Sequence, residues 1–299
     1  MDCNNLKLKE LADSISVEIK NEVQKISSEI KIASIIVGDD PASLSYLTGM
    51  KKRAEKLGIG LEIIQYNNIA EKELLEKIDK INRDSSFSGL IVQVPLPKHI
   101  NSQKVAECID WQKDLDGISP YNIGLLFRNV PFIIPATAQA VDITLDFIAK
   151  NYNVILQGKN TAIIGRSLTV GKPLISLLLS KNITPTILHT KTIEPQDITK
   201  KMDIIIAACG VPEFINDRWI GEGAIVVDVG IHSLDDPDND KGYRLCGDVH
   251  AESVRQKASI LTAVPGGIGS VTSTLVFANA VKSFYLIENN CKFKFSFEN

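Results

Sequence analysis

Two separate runs of short apolar strands alternating with amphipathic helices constrain this chain more than any other feature. The first run begins with Ile30 to Val37, a strand stopped by the turn Gly38-Asp39-Asp40-Pro41. A helical pattern from Ser43 to Leu57 follows, ending at Gly58, then a strand from Leu61 to Tyr66 and a helix from Glu71 to Asn82. Gly89 to Val94 is a buried strand closed by Pro95-Leu96-Pro97. Residues 137 to 150 read as a connecting helix, and a second series begins beyond it. Its strands are Thr161 to Ile164, Thr186 to Leu188, Asp203 to Ala207, Ala224 to Val229 and Ile260 to Val264, with helices at Val170 to Ser180 and 271 to 288. Apolar strands that alternate with helices form parallel sheets covered on both faces, because each crossover lays a helix on the sheet. The expected class is α/β in two domains. The first ~25 residues carry helical periodicity, and the Asp-rich stretch Leu234 to Lys241 reads as an exposed loop.

The rest of the composition works by exclusion. A chain of 299 residues with 44% hydrophobic and 23% charged residues can bury a sizeable core. A net charge of -3 argues against nucleic acid as a partner. No apolar run approaches the roughly 20 residues that span a bilayer, and the polar start Met1-Asp2-Cys3-Asn4-Asn5 lacks the apolar centre of a signal peptide. A cytoplasmic protein without a membrane partner is expected. Five scattered cysteines (Cys3, Cys108, Cys209, Cys246, Cys291) and four scattered histidines show no metal-ligand spacing, so no metal is expected.

The turn after the strand at 161 reads Gly165-Arg166-Ser167-Leu168-Thr169-Val170-Gly171-Lys172-Pro173. A strand, a glycine turn and a helix start present backbone N–H groups and a positive helix end to an anion. The spacing is not the common G-x-G-x-x-G, and a plain tight turn also fits. The next strand ends His189-Thr190-Lys191-Thr192, without the acid that usually receives the ribose 2′-hydroxyl of NAD. Arg166 and Lys191, with Thr190 as a neutral donor, suit the additional phosphate of NADP, since a guanidinium can bond two oxygens. As merely solvated charges they would say nothing.

In the first series Tyr46 lies on a helix, Gln93 at a strand end, and Asp116 in Lys113-Asp114-Leu115-Asp116-Gly117. A phenol that stacks, an amide and a carboxylate that accepts N–H groups suit a polar aromatic heterocycle. Taken singly, Tyr46 fits a core residue, Gln93 a strand cap and Asp116 a turn former.

Together these motifs resemble the methylenetetrahydrofolate dehydrogenase/cyclohydrolase family. The matching stretches are Val37 to Tyr46, Gly89 to His99, Lys113 to Gly117, Gly158 to Pro173, Val226 to Ile231, Gly247 to Val249 and Val264 to Gly269, in the family's order and spacing. The resemblance implies an N-terminal α/β catalytic domain (1–137 with 271–299), a C-terminal Rossmann-like NADP-binding domain (138–270), and a folate cleft between them. It implies oxidation of 5,10-methylenetetrahydrofolate to the 5,10-methenyl cation with NADP, then hydrolysis to 10-formyltetrahydrofolate. The folate site carries over to Tyr46, Gln93 and Asp116, and the cofactor site to Gly165, Arg166, Ser167, Thr190 and Ile231. The substrate loop carries over to Pro265, Gly266 and Gly267. A homodimer is expected on the same ground.

The chain departs from the family's pattern at its acid–base residue. The family's catalytic lysine stands four residues after the tyrosine, where this chain has Met50; Lys51 and Lys52 follow, and Lys52 matches a second basic position. Pro135-Ala136-Thr137-Ala138 replaces Pro-Cys-Thr-Pro, and Ser270 replaces a proline. Hydride transfer needs mainly orientation, whereas hydrolysis needs a proton carrier worth about 10²–10⁴-fold. Three other readings follow: a dehydrogenase alone, a catalytically silent folate- or NADP-binding protein, and a two-domain dehydrogenase of a small acid. The Gln93-Val94-Pro95-Leu96-Pro97 and Pro265-Gly266-Gly267 motifs argue against the last.

Overall fold

The computed structural model describes residues 3–39, 41–237 and 242–298. Asp40, in the first expected turn, and residues 238–241 of the Asp-rich stretch lie outside them. In chain order the elements are β1 (Asn4–Leu6), α1 (Lys9–Val23), β2 (Lys31–Val37), α2 (Pro41–Leu57), β3 (Gly60–Tyr66), α3 (Glu71–Arg83), β4 (Gly89–Val92), α4 (Ser102–Cys108), α5 (Pro120–Phe127) and α6 (Ala136–Tyr152). Then come β5 (Asn160–Ile164), α7 (Gly171–Ser180), β6 (Thr184–Leu188), α8 (Pro195–Thr199), β7 (Ile204–Ala207), β8 (Ile225–Asp228), β9 (His232–Asp235), β10 (Tyr243–Cys246), α9 (Ala251–Val254), β11 (Ile260–Thr262) and α10 (Ile268–Asn289). The chain divides into two compact units: Ser14–Ala136 with Ser273 onward, and the chain up to Asp13 with Thr137–Thr272.

The unit holding Ser14–Ala136 contains a three-stranded parallel sheet in the order β3-β2-β4. β2 is central, with Ile32 opposite Leu61 on one side and Gly89 on the other. Its buried run Ile32–Val37 has no polar alternation except Ser34, as a strand covered on both faces requires. α3 seats Leu74, Ile78 and Ile81 on the sheet. Ser283 on α10 donates to the carbonyls of Ser88 and Gln112, and Asn279 donates to those of Leu115 (2.9 Å) and Ile134 (3.2 Å). α10 thereby fixes the loops on either side of Asp116.

In the other unit six strands run parallel in the order β1-β11-β8-β7-β5-β6, the two-way winding of a Rossmann-like sheet. Two expectations are corrected here. The first ~25 residues are not one helix: Asn4–Leu6 pairs with Ile260–Thr262 as an edge strand before α1 begins. Three residues starting Asn-Asn are too short to carry a two-residue period. The stretch Leu234 to Lys241 is not simply a loop, because His232–Asp235 pairs antiparallel with Tyr243–Cys246. No helix among the described residues is long and apolar enough to cross a membrane.

The C-terminal segment docks through aromatic rings. Phe293 stacks on Tyr285 at 4.8 Å, meets Phe295 edge-on at 4.9 Å, and Phe295 stacks on Phe297 at 5.0 Å. Beneath them Lys282 and Glu298 form an ion pair of 2.8 Å with both side chains buried. Removing one member of such a pair strands the other charge, a loss of about 3–5 kcal/mol. Glu298→Gln should therefore lower the urea midpoint of unfolding markedly, and an unchanged midpoint would contradict the role of the pair.

Candidate active site

α2 carries the first site residues on one face. Tyr46, Met50 and Arg53 stand at i, i+4 and i+7, positions that superpose along a helix. Met50 is 2% exposed and belongs to the buried stripe Leu47, Met50, Ala54 and Leu57. Tyr46, by contrast, is 41% exposed, so it is not a core residue. Its hydroxyl is nonetheless desolvated. That burial, with the Asp116 charge second and Arg53 opposing, pushes the phenol up to about 12. Lys51 and Lys52 point to solvent.

The motif Lys113–Gly117 divides its labour residue by residue. Lys113 donates to the carbonyls of Ile81 (3.0 Å) and Asp84 (2.7 Å), closing the end of α3. Asp114 accepts from the Ser119 N–H (2.7 Å) and the Asn122 amide (3.0 Å), setting the start of α5. Leu115 is fully buried, and a side chain at Gly89 would strike it at 2.5 Å. Gly117 has φ +64, and a β-carbon there would lie 2.7 Å from the Pro135 nitrogen. That leaves Asp116 as the motif's candidate site carboxylate, and its charge acts on the Tyr46 phenol. Burial first, and the neighbouring Asp114 charge second, push the Asp116 carboxyl up to about 7. Gln93 follows β4 with its amide on the Ser34 hydroxyl at 3.0 Å, ahead of the cis Val94–Pro95 bond.

Sequence reasoning missed Arg53, hidden in the run Lys51-Lys52-Arg53. Its Nη1 donates to the hydroxyls of Ser273 and Thr274 on α10, both at 2.5 Å. No motif marked it; only the seven-residue spacing from Tyr46 could have.

The cofactor candidates sit in the other unit, at the carboxyl ends of its strands. Gly165 follows β5 with φ +129, and a β-carbon there would lie 2.0 Å from the Ala208 carbonyl. Gly171 is as tightly placed, 2.1 Å from the Gly165 carbonyl. Ser167 accepts from the Val170 N–H at 3.1 Å at the entrance to α7. This backbone-lined turn before a ten-residue helix fits a dinucleotide's phosphates. Arg166, Ser167, Thr190 and Lys191 are exposed on the edge formed by adjacent strands β5 and β6. Ile231 is 62% exposed beyond β8. Pro265, Gly266 and Gly267 follow β11 through the cis Val264–Pro265 bond, and the Gly266 carbonyl accepts from the Leu8 N–H at 2.9 Å.

A second carboxylate missed in the sequence shapes this edge. Asp228 ends β8 and accepts the backbone N–H groups of Gly230, Asp248 and Val249, each at 3.0 Å. Asp248 in turn accepts from Gly210 (2.9 Å) and bonds His232 (2.7 Å). Among the described residues no group of three or more His, Cys, Asp or Glu could hold a metal ion.

Residues 6–116 match the catalytic domain of tetrahydrofolate dehydrogenase/cyclohydrolase, and residues 135–287 match its NAD(P)-binding domain. The chain belongs to the tetrahydrofolate dehydrogenase/cyclohydrolase family. It is 40% identical over 279 residues to the bifunctional protein FolD of Bacillus subtilis strain 168, covering 92% of this chain and 95% of that protein. Among solved structures, the bifunctional FolD enzyme from Campylobacter jejuni superposes with a TM-score of 0.86 at 36% identity, covering 97% of this chain and all of that one. The Trypanosoma brucei FolD, solved with NADP cofactor and an inhibitor, also gives 0.86, at 29% identity over 95% of this chain and 98% of that one.

The position of Asp116 has a measurable consequence. Its native carboxyl holds a proton up to about pH 7, whereas its ordinary value is 3.8. Between those values the native state binds a proton that the unfolded state releases, so this group's contribution to stability falls as pH rises. Asp116→Asn lacks that term. Relative to the unmodified protein, its urea midpoint should rise between pH 5 and pH 8; a constant difference would show an ordinary carboxyl.

Proposed function

We propose that this chain oxidises 5,10-methylenetetrahydrofolate to 5,10-methenyltetrahydrofolate with NADP and hydrolyses the product to 10-formyltetrahydrofolate, with hydrolysis the slower reaction. The observation that carries the pair of activities is the match to both domains of the bifunctional family in one chain. Retention of Tyr46, Gln93 and Asp116 supports folate binding in particular. In this reading the exposed Tyr46 ring stacks on the folate and Asp116 accepts N–H groups of its heterocycle. Gln93 presents a polar group from the end of β4. Bound NADP would supply the hydride acceptor. The lone pair of a folate nitrogen expels the hydride, so the protein's task in that step is orientation.

Hydrolysis asks for more. Water must lose protons as it attacks the methenyl carbon, and a folate nitrogen must gain one. A methionine thioether does neither at neutral pH. The position itself suits a carrier, since burial at 2% exposure would lower the pKa of a lysine there. Met50 therefore also supports a second reading, a dehydrogenase alone. Tetrahydrofolate interconversion in the cytoplasm by a homodimer completes the proposal.

The first test is direct. Adding 5,10-methylenetetrahydrofolate and NADP should produce NADPH absorbance, and a protein that binds both without producing NADPH would be a binder only. Met50→Lys should accelerate the decay of added methenyltetrahydrofolate by about 10²-fold or more; no gain would place the proton carrier elsewhere. Arg166 and Lys191 on the β5–β6 edge support NADP over NAD. Arg166→Ala should raise KM for NADP far more than for NAD, and equal effects would remove Arg166 from recognition of the 2′-phosphate.

A further inference from the structure

The strand order of the six-stranded sheet reverses between β5 and β7, with β6 on one side and β7, β8, β11 and β1 on the other. A doubly wound sheet binds a dinucleotide across that point, one nucleotide to each half. The loops after β5 and β7 meet there backbone to backbone: a β-carbon on Gly165 would stand 2.0 Å from the Ala208 carbonyl oxygen. The loops after β7 and β8 are both fastened to one carboxylate. Asp248, whose side chain is wholly buried, accepts the Gly210 N–H on Oδ2 at 2.9 Å and the His232 Nε2–H on Oδ1 at 2.7 Å. Gly230 passes so close that a β-carbon there would stand 2.3 Å from the same Oδ1. Ile231 is therefore held from both sides, by close contact at Gly230 and by a hydrogen bond at His232, while its own side chain is 62% exposed. Asp248 is itself held, since its N–H donates to Asp228 Oδ1 (3.0 Å) and its carbonyl accepts from the Ile215 N–H (2.9 Å).

We propose that Asp248 and His232 are positioning residues for the nicotinamide half of NADP, acting through the Gly210 and Ile231 loops. This rests on the reading of the β5–β8 edge as the cofactor site. In that reading Arg166 and Lys191 take the adenosine half on the β5–β6 side, and the nicotinamide half falls to the loops after β7 and β8. A buried carboxylate suits the task. Hydrogen bonds to an ionised oxygen are stronger than those between neutral groups, and an oxygen that loses its donor in a buried place is costly. Losing the His232 bond frees the backbone of Ile231 from one side. The loops of the adenosine half make no bond to Asp248, so the effect should reach the whole dinucleotide and spare its adenosine fragment.

The test measures KM for NADP and inhibition by 2′,5′-ADP, the adenosine half alone, in the NADP-linked assay. It compares the unmodified enzyme with His232→Leu, His232→Gln and Arg166→Ala. His232→Leu should raise KM for NADP about tenfold or more, the weight of one hydrogen bond to a charged group, and leave inhibition by 2′,5′-ADP unchanged. His232→Gln puts an amide N–H where Nε2 stands and should recover most of the loss. A bond that is merely structural would lower the thermal midpoint with KM unchanged, or weaken NADP and the fragment equally; either result overturns the inference. Should His232→Leu fail to fold, His232→Asn, polar but too short to reach Oδ1, takes its place with the same expectation. Arg166→Ala tests the cofactor reading itself and should weaken NADP and 2′,5′-ADP together. If it weakens neither, the placement of the dinucleotide fails. If it weakens both while His232→Leu changes neither, the role of the Asp248–His232 pair fails and the cofactor reading stands.

Discussion

A parallel sheet must satisfy its backbone from strand to strand, and its crossovers bury both faces under helices. The loops at the carboxyl ends are the part of each unit left to chemistry. β2 pairs with β3 along its whole length and with β4 from Ile32 to Ile35, which puts the start of α2 and the residue Gln93 at one end of a rigid support, and a parallel bridge joins Leu90 of β4 to Asp114. In the other unit, β5, β6, β7 and β8 deliver Gly165, Thr190, Gly210 and Ile231 to one edge in the same way. Glycine is required where those loops crowd. Gly165 and Gly171 cannot carry a side chain without striking backbone, and Gly247 cannot without striking Asp228. The proposed anion cradle is therefore a product of close packing as much as of motif.

Much of this was legible because apolar runs and glycine or proline stops are local signals. The strands from β2 to β8 stand within a few residues of where their apolar runs placed them. What escaped was either short or dependent on distant partners. β1 is three residues that become a strand only through β11. The caps of α4 and α5, where Asn101 accepts from Gln103 and Ser119 from Asn122, were present as Asn-Ser and Ser-Pro, but they open helices too short to show a period. Site residues divided the same way. Asp116 could be named from its motif, but its separation from Asp114, one residue pair apart and otherwise identical in type, needed the Ser119 and Asn122 contacts. Arg53 and Asp228 matter through groups far away in sequence, so nothing local announced them.

The chemistry of the proposed folate site turns on which charges can move. Asp116, desolvated and beside Asp114, is poised between its two protonation states near neutral pH. Tyr46 is held firmly protonated. Arg53 is permanently charged, and Met50 is inert. A lysine on the buried stripe would add a desolvated amine able to titrate in the working range; a thioether in the same volume keeps the packing and removes the titration. The family's two reactions differ in what they draw from such a site. Departure of hydride uses an electron pair already on the substrate, while addition of water requires protons to leave one oxygen and reach a nitrogen.

The central claim is that this site orients its substrate well and moves protons poorly. The most direct measurement follows methenyltetrahydrofolate by absorbance while the unmodified enzyme turns over 5,10-methylenetetrahydrofolate and NADP. The account predicts that the methenyl species builds up alongside NADPH and then decays slowly to 10-formyltetrahydrofolate. Hydrolysis that keeps pace with NADPH formation from the first turnovers, with no build-up of the methenyl species, would contradict it.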